Sequence, residues 1–218
     1  VVDPRQDVEP YLEAAAQAGL RITHIIETHV HADHLSGASR LARVTGAPVL
    51  VHAAAPVEFP HVDLADEDGH ELGSVRLQVL HTPGHTPDSV ALVVTDVSRG
   101  PEPWFALTGD TLFAGGVGRP DLFGVEDGRV LAAELYRSLH ERLLALPDHV
   151  EIYPAHFAGA ACGKGLSGKP VSTIGFERRF NPALQARDPT TFAALVLADL
   201  PPAPAEFAEI RRRNLRGA

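Results

Sequence analysis

Thr28-His29-Val30-His31-Ala32-Asp33-His34 places four metal-competent side chains on one short segment, directly after a β-branched run, Ile22 to Glu27, that reads as a strand. In extended chain, residues two apart project to the same side. His29, His31 and Asp33 therefore converge, while His34 opens the following helix and approaches from another direction. Imidazole with carboxylate suits Zn, Fe, Mn or Ni, and the absence of clustered cysteine argues against a structural zinc or iron–sulfur site. A second cluster, His81-Thr82-Pro83-Gly84-His85-Thr86-Pro87, ends the strand-like run Val75 to His81. Pro83 and Gly84 force a turn that presents His85 at the strand edge, which makes it the ligand candidate and leaves His81 as a hydrogen-bonded core histidine. Thr108-Gly109-Asp110 and Tyr153-Pro154-Ala155-His156 each end an apolar run in one more carboxylate or imidazole. Four strands thus deliver ligands at their C-terminal ends, the rim where open α/β sheets place ligands.

The elements that position these residues change character along the chain. Val1-Val2-Asp3-Pro4 reads as the end of a buried strand running into a turn, so preceding strands are expected to be missing. A helix is expected from an N-cap at Asp7 through Ala18 to Gly19, then the Ile22 to Glu27 strand, a helix over 35–45 and a strand from Pro48 to His52. This order argues for a layered α/β architecture. The middle of the chain, Val75 to His81, Ser89 to Thr95 and Trp104 to Thr108, has Gly, Pro and Asp punctuation and no helix, which suggests an antiparallel meander. Leu131, Leu135, Leu139, Leu143 and Leu146 form the apolar stripe of a helix over Val130 to Leu146, before a last strand from Val150 to Tyr153. Residues 157–171 read as a loop; helices follow near 172–180, 190–199 and 204–216, with a rigid connector from Pro201 to Pro204.

The balance of 19 Lys+Arg against 28 Asp+Glu gives a net charge of -9, which disfavours a nucleic-acid binder. An anionic substrate must therefore find a local basic patch. No apolar run approaches the roughly 20 residues of a membrane span. A single cysteine, Cys162, allows no intrachain disulfide, which fits a reducing, cytoplasmic compartment.

In this order the residues resemble the metallo-β-lactamase fold superfamily, with its His-x-His-x-Asp-His motif followed by single His, Asp and His ligands on later strand ends. The resemblance implies an α/β fold, an αββα sandwich with the metal site along one edge and with its first N-terminal strands lacking here. It also implies a catalytic domain over 1–184, a C-terminal helical extension over 185–218, and the binuclear ligand positions His29, His31, Asp33, His34, His85, Asp110 and His156. Gly109-Asp110 running to Gly118-Arg119-Pro120-Asp121 is similar to the persulfide dioxygenases, as are Ser172-Thr173, Glu177-Arg178 and Asn181-Pro182. The glyoxalase II (hydroxyacylglutathione hydrolase) branch differs at both places.

That branch implies one Fe(II), held by His29, His85 and Asp110. The implied reaction oxidises a small thiol persulfide, glutathione persulfide or similar, with O2 to sulfite and thiol. His31, Asp33, His34 and His156 then orient the ligands. The alternative is a thioester hydrolase with one or two Zn(II) ions. Arg119, Lys164, Lys169 and Arg178 are candidates to hold the carboxylates or phosphates of the thiol carrier. Cys162, beside Lys164 in a small-residue loop, is a candidate to accept sulfane sulfur, so Asp33, Arg119 and Cys162 complete the expected catalytic set. The segment Cys162 to Pro170 looks like the bacterial branch often fused to rhodanese domains, which implies a functional link to a rhodanese. A sheet edge left by missing strands could pair with a second copy in a homodimer.

Overall fold

A computed structural model describes residues 1–157 and 161–218. The chain runs α1 (Glu9–Gln17), β1 (Ile25–Ile26), α2 (Ala38–Thr45), β2 (Val49–His52), β3 (Val62–Leu64), β4 (Gly69–Leu72), β5 (Val75–His81), β6 (Val90–Asp96) and β7 (Phe105–Gly109). It continues through β8 (Leu112–Phe113), β9 (Gly116–Gly118), α3 (Val125–Arg137), β10 (Glu151–Pro154), β11 (Gly163–Lys164), β12 (Ser172–Thr173), α4 (Ile174–Phe180), α5 (Pro189–Leu197) and α6 (Phe207–Leu215). The chain divides into two compact units, Val1–Leu64 with Pro204–Ala218, and Ala65–Ala203. Among the described residues no helix is long and apolar enough to cross a membrane.

In the first unit β1, β2 and β3 form a parallel sheet, because α2 carries the chain back between β1 and β2 as parallel pairing requires. Val2 bridges Ile26 in parallel, so the opening residues do lie against β1. Val8, Ile25, Val30, Leu41, Val49 and Val51 make the core, and most of β1 and β2 is buried, as strands of a parallel sheet are. The cap of α1 differs from expectation. It falls on Val8 with no side-chain bond, because Pro10 sits in the first turn and sets the helical φ there without help from Asp7. Gly19 ends that helix at φ +65°, as its position suggested.

In the second unit six strands lie in the order β12, β10, β7, β6, β5, β4. The expected meander is present: β5, β6 and β7 pair antiparallel in sequence, and β10 adds parallel to β7. It follows that β5, β7 and β10 all point the same way. Their C-terminal ends, where His85, Asp110 and His156 follow, lie along one end of the sheet. The helix expected over Val130 to Leu146 is α up to Arg137, then widens to a π segment at Ser138–Arg142 and closes as 3-10 at Leu143–Ala145. A leucine every fourth residue drifts by roughly 40° per step on a helix of 3.6 residues per turn, and the widened turn corrects it. Leu135, Leu139 and Leu143 are accordingly fully buried. A second small sheet, β11, β9, β8, was not legible as strands, since its pieces are two or three residues long and β9 and β11 contain glycine. Part of the expected 157–171 loop is therefore strand.

Candidate metal centre

The candidate ligands fall into two groups, one in each unit. In the first unit the turn after β1 carries the motif, and all of it except Asp33 and His34 is buried. Asp3 organises this group from the start of the chain. Its carboxylate accepts from the Thr28 backbone N–H at 2.7 Å and from the Thr28 hydroxyl at 2.8 Å. With its one hydroxyl proton given to Asp3, Thr28 Oγ1 can only accept at the 3.0 Å contact with His29 Nδ1. The proton of His29 therefore sits on Nδ1 and the lone pair on Nε2, the state a metal ligand needs. His31 turns the other way: its Nε2 lies between Asp3 Oδ1 at 3.1 Å and Glu27 Oε2 at 3.2 Å, and its Nδ1 is 3.9 Å from Asp33 Oδ1.

Burial opposes charge on the His31 ring, but the two carboxylates outweigh it and hold its pKa well above the ordinary histidine value. Burial likewise raises Glu27, and the His31 bonds only partly offset this; at Asp3 burial is outweighed by His31 and Thr28, so its pKa is lowered. Asn214 on α6 pins the loop: its amide donates to the His31 and His34 carbonyls at 2.8 Å each, and its Oδ1 accepts from Ser36 N–H at 3.0 Å. His31, Asp33 and His34 offer ligand atoms all within 4.8 Å of one another. The importance of Asp3, Glu27, Thr28 and Asn214 was invisible in the sequence. Nothing local marks Asp3 or Asn214, which act from more than twenty positions away, and the roles of Glu27 and Thr28 follow from the partners that Asp3 and His31 bring to them.

In the second unit His85 and Asp110 are both 1 % exposed. His85 Nδ1 lies 2.9 Å from the Arg119 carbonyl, which can only accept, so this ring too is protonated at Nδ1. Its Nε2 then faces Asp110 Oδ2 at 3.4 Å. The other carboxylate oxygen, Oδ1, accepts from His156 Nδ1 at 2.7 Å. Phe113 lies edge-on to the His156 ring, with centroids 6.4 Å apart. A lone-pair nitrogen and a carboxylate oxygen converging in the interior, with carbonyl and imidazole behind them, fit a divalent transition metal. As expected, His81 stays out of this group, its Nε2 lying 2.9 Å from the Pro87 carbonyl.

The expected substrate cations are placed differently. Arg119 is 2 % exposed, and its guanidinium holds Asp121 through two bonds of 2.7 and 2.8 Å, the Pro201 carbonyl at 2.8 Å and the Ala161 carbonyl at 3.3 Å. It is an internal strut. Arg178 bonds Asp148 at 2.9 Å and the Leu144 carbonyl at 2.9 Å, closing the end of the helix that precedes β10. Lys169 is exposed, and the Lys164 side chain lies outside the described residues. Cys162 is buried at 2 % exposure, with its carbonyl accepting from Arg119 N–H at 2.9 Å and its Sγ within 4.8 Å of a ring nitrogen of His156.

Burial raises the Asp121 carboxyl, but hydrogen bonds and charge from Arg119 outweigh it, so its folded pKa lies below the ordinary carboxylate range. The stabilisation is complete above the unfolded value and disappears as pH falls through the folded one. Asp121→Asn is expected to cost about 3 kcal/mol at pH 7, because it leaves a buried guanidinium short of a partner. In urea unfolding the gap between variant and parent should narrow steadily below about pH 4.

Comparison with known proteins places these observations. The model of the Metallo-beta-lactamase superfamily matches residues 1–156. The chain is 34% identical over 186 residues to the mitochondrial persulfide dioxygenase ETHE1 of Homo sapiens, covering 81% of this chain and 65% of that protein. It thus spans just under two thirds of that relative. It is 35% identical over 234 residues to the hydroxyacylglutathione hydrolase of Maricaulis maris, covering 95% of this chain and 86% of the other. The crystal structure of ETHE1 from Myxococcus xanthus superposes with a TM-score of 0.83 at 30% identity, covering 98% of this chain and 86% of that one. Motif, mixed α/β architecture and family match agree, and the chain belongs to the metallo-beta-lactamase superfamily.

Proposed function

We propose that the chain is a persulfide dioxygenase that binds one Fe(II) through His29, His85 and Asp110. In the reaction a thiol persulfide R–S–SH, O2 and water give the thiol R–SH, sulfite and two protons. The observation that carries the reading is the bond between His156 Nδ1 and Asp110 Oδ1. It occupies one carboxylate oxygen with an imidazole and leaves Oδ2 for a metal. This favours a two-histidine, one-carboxylate face over a carboxylate bridging two ions. The names of the human and Myxococcus relatives support it as well.

When bound, the iron supplies redox capacity and open coordination positions for the two substrates. The chain's own residues do the rest. The Asp3–Thr28 pair and the Arg119 carbonyl each fix a histidine tautomer, and His156 sets the direction of the Asp110 carboxylate. Burial of these groups keeps bulk water away and strengthens every polar interaction among them.

A hydrolase with two Zn-class ions is the second reading, favoured by the tight grouping of His31, Asp33 and His34 and by the Maricaulis relative. The two separate in one experiment. Protein loaded anaerobically with Fe(II) is expected to consume O2 and release sulfite with glutathione persulfide, and to leave a glutathione thioester intact. Thioester hydrolysis by the zinc-loaded protein without persulfide-dependent O2 uptake by the iron-loaded one would reverse the assignment.

A further inference from the structure

Glu177 and Asn181 belong to neither ligand group, yet both are buried at 1 % exposure. Glu177 is a carboxylate in the interior whose bonds come from neutral donors: Ser172 Oγ at 2.6 Å on Oε1, and Gly115 N–H and Asn181 Nδ2, each at 2.9 Å, on Oε2. Interior carboxylates are costly, and among the described residues this one belongs to none of the clusters that could hold a metal. What it holds is the turn of the β8–β9 hairpin. Asn181 completes the clamp by donating from Nδ2 to the Gly116 carbonyl at 3.0 Å, and its own amide is oriented by Ala183 N–H bonding Oδ1 at 3.1 Å.

The hairpin's two ends carry the proposed ligands' geometry. Asp110 stands two residues before it, and Arg119, immediately after it, offers the carbonyl that orients His85. The two strands pair at Leu112 with Val117 and Phe113 with Gly116, with one long bond of 3.4 Å from Gly118 N–H to the Thr111 carbonyl, and β11 pairs along the other edge of β9; two residue pairs are too little to fix the turn itself. There is also no slack in the transmission. A methyl group at Gly118 would collide with the Asp110 carbonyl and come within 3.1 Å of His85 Cβ, so β9 lies directly against both residues. We infer that Glu177 and Asn181 are positioning residues: by clamping the Gly115–Gly116 turn they hold the Arg119 carbonyl against His85 Nδ1 and fix the direction of Asp110. The metal part of this inference rests on the reading above; the tautomer of His85 does not.

The test uses imidazole nitrogen NMR on the metal-free chain at pH 8 and Co(II) titration followed by its visible absorption. Wild type is expected to show His85 protonated at Nδ1. Glu177→Gln should preserve both readouts, because its amide oxygen still accepts from Gly115 and Asn181 while its NH2 donates to Ser172. Glu177→Ala should give a mixture of His85 tautomers, a shifted Co(II) spectrum and about tenfold weaker Co(II) binding, the scale on which partners behind metal ligands act. If Glu177→Ala does not fold, Asn181→Ala serves, since it removes the Gly116 bond and leaves Glu177 its other donors. A folded Ala variant with unchanged His85 tautomer and Co(II) spectrum would overturn the inference, as would a Gln variant as impaired as the Ala variant. A wild-type chain that takes up no Co(II) would sink the metal reading, and the tautomer comparison would still decide this one.

Discussion

Asp110→Asn is expected to leave the chain folded and to strip it of iron. The substitution keeps the shape and keeps an oxygen to accept from His156 Nδ1, so the hydrogen bond at 2.7 Å survives. On the other side, an NH2 group replaces the oxygen that faces His85 Nε2 at 3.4 Å. A donor then points where a metal requires a lone pair, and the negative charge that offsets a divalent cation is gone. Iron affinity should fall by more than the roughly 10–100-fold that loss of a partner behind a ligand costs, and persulfide-dependent O2 uptake should disappear with it. Equilibrium dialysis against Fe(II) without oxygen reads the first, and thermal melting of the metal-free protein shows that folding is not the cause. Full iron occupancy in the folded variant would remove Asp110 from the ligand set and with it the dioxygenase reading.

The second large effect is on stability. Gly84 adopts φ +144° in the turn that turns the chain from β5 to His85, a conformation that L side chains rarely take. It also lies against the backbone of α3: a Cβ there would collide with Leu135 and sit 2.7 Å from its nitrogen. Neither the helix backbone nor the fully buried Leu135 can move aside without opening the core. Gly84→Ala is expected to cost about 3 kcal/mol or more and to displace His85. Gly73→Ala is the comparison, because Gly73 also has positive φ, at +67°, but nothing within 4 Å. It should cost only the backbone strain, roughly 1–2 kcal/mol. Equal urea midpoints for the two variants would show that the contact with α3 carries no weight.

What was readable in the sequence depended on short-range rules. The strand ends after Val75–His81 and Trp104–Thr108 were visible because apolar alternation stops at Pro, Gly or Asp, and the choice of His85 over His81 followed from Pro83-Gly84 alone. The leucine stripe was visible too, although not that the helix must widen at Ser138–Arg142 to keep it on the core. Strands of two or three residues such as β8, β9 and β11 were not, since pairing with a distant segment, not their own composition, makes them strands.

Which residue types stand at the strand ends, and the turn before His85, were legible in the sequence alone, because a Pro-Gly turn acts within a few residues. The spacing of two did not carry His31 to the side of His29, since the segment after β1 is a turn and Asp3 and Glu27 hold the His31 ring. The protonated nitrogen of each ring was decided by tertiary structure: Asp3 acts through Thr28 from 25 positions away, and the Arg119 carbonyl acts on His85 from 34. The same holds for the arginines. Whether a guanidinium waits for a substrate or holds the fold together depends on what lies within about 3 Å of it, and for Arg119 part of that is the Pro201 carbonyl, 82 positions along the chain.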